Sequence, residues 1–266
     1  MQKNLYKNSY DLLQNDLKNK ILLLDGAMGT MIQQENLTAD DFGGEKYEGC
    51  NDYLVLQRPD VIKNIHKKYL EAGSDIIETN SFGALDIVLK DYDLEDTVFE
   101  MNKKAAELVN EAIAEYRSEH PEVTRNLYVA GALGPSNKSI SVTGGVTFEE
   151  LIHTYYTAVS GLMAGGVDLI LFETIQDTRN LKAAYLGLKK AMEENYTVPL
   201  MLSFTIESTG TTLAGQTADA FYYAVNHMNP FSVGLNCATG PEFMTQFLKT
   251  LNNISNTYIS VYPNAG

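Results

Sequence analysis

Three carboxylates and one thiol stand where short apolar runs end: Asp25 after ILLL, Glu78 after DII, Glu173 after ILF and Cys237 after GLN. A carboxylate at the end of a buried run is costly unless it is solvated, paired or used. Asp25 either caps the turn that follows or faces a ligand. Glu173, in LFETIQD, either makes an internal salt bridge or does the same work. Two such carboxylates on one rim suit a substrate ammonium group or general acid-base chemistry. In IIETNSF, a period of two sends Glu78 and Asn80 one way and Thr79 the other. Glu78 suits satisfaction of the polar core slightly better than contact with a substrate.

Cys237 has three readings: a small buried hydrophobe, a nucleophile or a metal ligand. A nucleophilic cysteine wants a neighbouring histidine. Yet His66, His153 and His227 fall in helical segments and His120 in a loop, where surface roles are expected. Zinc takes three or four ligands, and Cys50 lies in a long connection with no C-x-x-C spacing. Spacing alone therefore gives little support for a metal. The segment ALGPSNKS, 132–139, either offers backbone amides to a ligand or is a plain loop.

The elements that must position these groups are legible in the pattern. Apolar runs at 21–28, 75–82, 127–134, 167–174, 198–205, 231–237 and 257–264 lack alternation, as in parallel strands buried on both faces. Between them, segments from Pro59 to Gly73 and near 94–112, 147–164, 178–194, 217–228 and 241–252 carry helical periodicity. Strands alternating with helices make βαβ units. The first connection, GAMGTMIQQ, lacks G-x-G-x-x-G, which weakens a dinucleotide-binding fold. Polar residues gathered at strand C-termini favour a (β/α)8 TIM barrel of the α/β class, with only seven strands in this chain. One incomplete barrel domain over 1–266 is expected, with open edges on its first and last strands.

Composition excludes several classes. Twenty Lys and Arg against 34 Asp and Glu give a net charge of −14 in 266 residues. Clustered basic charge for nucleic acid is absent, and anionic membrane surfaces are disfavoured. No apolar run reaches the roughly 20 residues of a membrane span. The N-terminus lacks a signal peptide's apolar segment, and two cysteines make no disulfide framework, so a cytoplasmic protein is expected.

The motifs DGAMGTMIQ, GCNDYLVLQRPDVI, AGSDIIETNSFGA, GALGPS, FETIQD, TTLAGQT and GLNCATGP, in order across about 20–266, resemble the homocysteine S-methyltransferase module of cobalamin-dependent methionine synthase. Betaine- and S-methylmethionine-homocysteine methyltransferases share several of them. The resemblance implies a (β/α)8 barrel and zinc bound by three cysteines, the first matched by Cys237. The other two form a Gly-Gly-Cys-Cys pair on the eighth strand, expected beyond Gly266, so the chain reads as an N-terminal piece that is inactive alone. Zinc would activate homocysteine as a thiolate that takes the methyl group of methylcobalamin, giving methionine. Asp25 and Glu173 would hold the amino group, and Gly26, Asn80 and Ser81 the carboxylate end. Asn236 would contact substrate or support Cys237. The implied partners are homocysteine and the cobalamin- and folate-binding modules of the same polypeptide. A non-catalytic barrel that binds an amino acid is the alternative from another class.

Overall fold

The computed structural model describes residues 9–264. Its frame is a curled, all-parallel sheet of six strands in chain order: β1 (Ile76–Glu78), β2 (Tyr128–Leu133), β3 (Leu169–Ile175), β4 (Leu200–Phe204), β5 (Ser232–Asn236) and β6 (Tyr258–Tyr262). Helices α1 (Ser9–Leu17), α2 (Met28–Gln34), α3 (Leu54–Gln57), α4 (Pro59–Ala72), α5 (Asp86–Leu89), α6 (Val98–Glu119), α7 (Phe148–Gly165), α8 (Thr178–Glu194), α9 (Ala218–Val225) and α10 (Pro241–Ile254) accompany it. Parallel neighbours need crossovers, and the longer helices supply them. Sequence signals fix several helix ends. Pro59 opens α4 and Gly73 closes it at φ 104°, while Thr147 and Glu150 form a capping box on α7.

Alternation along the strands builds two layers. Ile76, Ala130, Ala132, Leu169, Leu171 and Met201 face the concave side, with Leu13 of α1 beneath them. Ile77, Val129, Ile170, Phe172, Leu202 and Phe204 face the helices in the larger core. Both faces are covered, hence the unbroken apolar runs.

The first of the seven expected strands does not form. Residues 21–28 make one isolated bridge, Leu24 to Ile76. The Leu23 carbonyl accepts the amides of both Asp75 and Ile76, and the Leu23 amide donates to the Asp75 side chain at 3.1 Å rather than to a backbone carbonyl. A side chain has taken one place in the ladder, and the sheet is a six-stranded half-barrel. A groove of about 1050 Å³ separates this segment from β6. Ile21 and Leu23 on one side and Val261 on the other are exposed. His66 also departs from expectation. It lies fully buried in α4 with neither ring nitrogen partnered, and burial pushes its pKa down to about 3. Among the described residues, no helix is long and apolar enough to cross a membrane.

Candidate functional site

The strand ends converge on a cleft of about 210 Å³ lined by Asp25, Gly26, Glu78, Asn80, Glu173 and Tyr262, among others. Asp25 is reached through the irregular first segment, whose amide at Asp25 donates to the Ile76 carbonyl at 3.0 Å. Its Oδ2 accepts the Glu78 amide at 3.0 Å, while Oδ1 is buried without a partner. Asp25 does not cap α2, whose N-cap is Ala27.

Three carboxylates share this space. Burial, and then the charge of Glu173, holds Asp25 well above the usual carboxylate range, against the lowering effect of the Glu78 amide. Glu78 is raised by burial and then by the charges of Glu173 and Asp25. Glu173, partly covered by area yet deep in the fold, is pushed up to about 7 by burial. The charges that raise Asp25 and Glu78 are those of the neighbouring carboxylates. Such a cluster is costly when ionised and accepts a cation or protons. Glu78, Thr79 and Asn80 all line the cleft, so the expected separation of Thr79 from its neighbours does not show here. The Asn80 side-chain amide donates to the Asn51 carbonyl at 2.8 Å. Ser81 is fully buried below, its hydroxyl donating to the Ala132 carbonyl at 2.8 Å and paired with Thr79 at 2.6 Å. That hydroxyl braces the end of β1. Tyr262 closes the opposite wall, and its phenol is raised by burial and then by the charge of Glu78.

Cys237 and Asn236 stand beside the cleft. Cys237, half-buried, follows β5 with φ 42°, and Ala238 continues at 58°. The Cys237 amide donates to the Tyr262 carbonyl at 2.9 Å, tying the thiol's backbone to the cleft wall. The Asn236 side-chain amide donates to Cys237 Sγ at 3.3 Å, and the Thr174 hydroxyl is 3.9 Å away. Burial raises the Cys237 thiol, offset by Thr174 and the Ala238 amide. Cys50 is buried in the core, its thiol pushed up to about 11 by burial.

The loop after β2 offers little to a ligand. Asp177, N-cap of α8, accepts Ser139 Oγ at 2.6 Å and the Ser141 amide at 2.9 Å, folding that loop onto the helix. Glu78, which the sequence weighs slightly towards the polar core, and Tyr262, which it does not single out, also line the cleft. Their positions at strand C-termini were the available signal.

A model of the homocysteine S-methyltransferase family matches residues 22–266. This chain belongs to that family. Among solved structures, it is similar to the homocysteine methyltransferase MmuM from Escherichia coli. The oxidized form matches with a TM-score of 0.81 and 23% identity over 96% of this chain and 86% of that one. The metallated form matches at 0.81, with 88% of that chain covered, and the apo form at 0.74. At that identity the likeness shows the fold: a curled parallel α/β sheet, part of a TIM-type barrel.

The zinc that the resemblance implies can be tested against the donors. Cys237 offers one sulfur, whereas zinc sites take three or four protein ligands. Among the described residues, no group of three or more His, Cys, Asp or Glu is arranged to hold a metal ion. These residues do not make a zinc site by themselves.

Proposed function

We propose that this chain is a homocysteine-binding methyltransferase module of the cobalamin-dependent methionine synthase type, within its single barrel domain. The observation that carries the reading is the unpartnered, buried Asp25 Oδ1 beside Glu78 and Glu173. An amino acid's ammonium group would fill that position and relieve the mutual repulsion of the carboxylates. Asp25 and Glu173 take the amino group in this reading, with Glu78 at their side. The backbone at Gly26 and the Asn80–Ser81 turn lie on or beneath the same cleft and receive the carboxylate end. Asn236 orients the Cys237 thiol towards the mouth.

The methyl acceptor is the homocysteine sulfur and the product is methionine. The donor in this reading is methylcobalamin, carried by another module of the same polypeptide alongside a folate-binding one, in the cytoplasm. Cys237 is one of three zinc ligands, the other two being the pair expected beyond Gly266. With one thiolate, the chain alone is expected to hold zinc weakly and to be inactive.

The test uses this barrel extended to carry the two further cysteines, supplied with homocysteine, zinc and one donor at a time. Methionine from methylcobalamin alone is the expected result. Turnover of betaine or S-methylmethionine would overturn the donor assignment. No turnover with any donor, and homocysteine binding indifferent to zinc and to Cys237→Ala, would instead support a non-catalytic amino-acid-binding barrel.

A further inference from the structure

The end of β3 is irregular in a way that serves the cleft. Phe172 pairs with Leu202 and Ile175 with Phe204, so three steps along β3 match two along β4. The extra residue is a bulge, and Thr174 within it has φ 54°. A β-branched residue in the left-handed region is an outlier that surrounding structure must hold. Here the bulge matters because Glu173 and Thr174 turn towards the mouth in succession. Glu173 lines the carboxylate cleft and Thr174 approaches Cys237.

The holding group is the side-chain amide of Asn236, two strands away in β5. Its Oδ1 accepts the Thr174 amide at 2.9 Å, and its Nδ2 donates to Thr174 Oγ1 at 2.8 Å. Because a backbone N–H can only donate, the Asn236 carbonyl must face Thr174 N. A second donor meets that same oxygen. Ser203 Oγ, on the intervening β4 and 6% exposed, lies 2.6 Å from Asn236 Oδ1. With both donors on Oδ1, the Nδ2 hydrogens are left facing Thr174 Oγ1 and Cys237 Sγ.

We infer that Ser203 is a positioning residue of the site: it anchors the Asn236 amide, which clamps the Thr174 bulge and so aims Glu173 into the cleft and the Asn236 N–H at Cys237. Ser203 touches neither the cleft nor the thiol and acts only through Asn236. The inference rests on the amino-acid site proposed above for its functional consequence, and on hydrogen-bond geometry for its structural one. Removing the hydroxyl deletes one of the two donors on Asn236 Oδ1, so the amide that holds the strained Thr174 backbone is less firmly fixed.

The experiment compares the unaltered chain with Ser203→Ala and Ser203→Thr, the second keeping the hydroxyl. One readout is the nitrogen–proton correlation spectrum at the Thr174 amide and the Asn236 side-chain amide. The other is homocysteine titration calorimetry. Ser203→Ala is expected to remain folded, shift both resonances and weaken homocysteine at least tenfold, and Ser203→Thr to restore both. Unmoved resonances in a folded Ser203→Ala would overturn the inference. So would moved resonances with unchanged affinity, because Ser203 would then brace the backbone without serving the site. If Ser203→Ala unfolds, Ser203→Thr decides: a folded threonine variant with resonances or affinity unlike those of the unaltered chain overturns the inference. If the unaltered chain takes up no homocysteine, the amino-acid site fails, while the resonances still decide whether Ser203 holds the clamp.

Discussion

The amide of Glu78 donates to one carboxylate oxygen of Asp25 at 3.0 Å, and the other oxygen of Asp25 is buried with no partner. The pairing fixes the direction of the Asp25 carboxyl while leaving half its acceptor capacity aimed at the cleft. Replacing Asp25 by Asn keeps an acceptor for the Glu78 amide and removes the charge. Asp25→Asn is therefore expected to weaken homocysteine at least about thirtyfold, since removing one partner of a desolvated charge pair costs about 2–5 kcal/mol. Its melting temperature should equal or exceed that of the unaltered chain, because a buried like charge is gone. Calorimetry and thermal unfolding of the variant check both halves.

Glu173 makes stability depend on pH. Its folded pKa of about 7 exceeds its ordinary 4.5, so the folded chain holds more protons between those values. Stability is lost as pH rises across that window, by on the order of 1 kcal/mol per pH unit from this group alone. Asp25 and Glu78, raised by burial as well, act with the same sign. Denaturant titrations from pH 5 to 8 should show the fall, and Glu173→Gln should flatten it. A stability that climbs over this range in both proteins would contradict the assigned burial of the cluster.

The two thiols should differ in access. Cys237 is half-buried at the mouth, whereas Cys50 is 4% exposed in the core. Brief alkylation of the native chain, read by mass spectrometry, is expected to label Cys237 and spare Cys50. Denaturation should expose both. Labelling that persists in a native Cys237→Ala variant would refute the placement of Cys50.

Gly234 bears on how β6 is held. A Cβ at this position would collide with the carbonyl and hydroxyl of Ser260 on the neighbouring strand. Backbone cannot step aside as a side chain can, so Gly234→Ala is expected to cost about 1–3 kcal/mol or more. The strand displaced carries Tyr262 and the acceptor of the Cys237 amide, so hydrogen exchange should rise at Cys237 and along 258–262 before it rises in β2 or β3.

The βα succession was legible because runs such as VDLILFET and VPLMLSFT are apolar on both faces, and the structure forms β3 and β4 there. Residues 21–28 read the same way and failed. They meet β1 at one bridge, where the Asp25 amide reaches the Ile76 carbonyl but the Leu23 amide goes to the Asp75 carboxylate instead of a backbone acceptor. Asp25, Asn80 and Glu173 could be found at strand ends, and the cleft gathers all three. Ser81 has the right sequence neighbours, but its hydroxyl is committed beneath the cleft. The left-handed Thr174 had no sequence signal, since nothing local favours a β-branched residue there. The side chain of Asn236, 62 residues away, holds it. His66 is buried where the sequence predicts a surface role, because helical period marks a face but not how completely that face is covered.

The most direct test is calorimetry of this chain with homocysteine and with 4-mercaptobutanoate, which keeps the thiol and carboxylate but lacks the amino group. If the Asp25–Glu78–Glu173 cluster receives an ammonium group, homocysteine should bind at least about thirtyfold more tightly, the lower end of what losing a buried charge partner costs. Equal affinity for the two compounds, or tighter binding of 4-mercaptobutanoate, would contradict it.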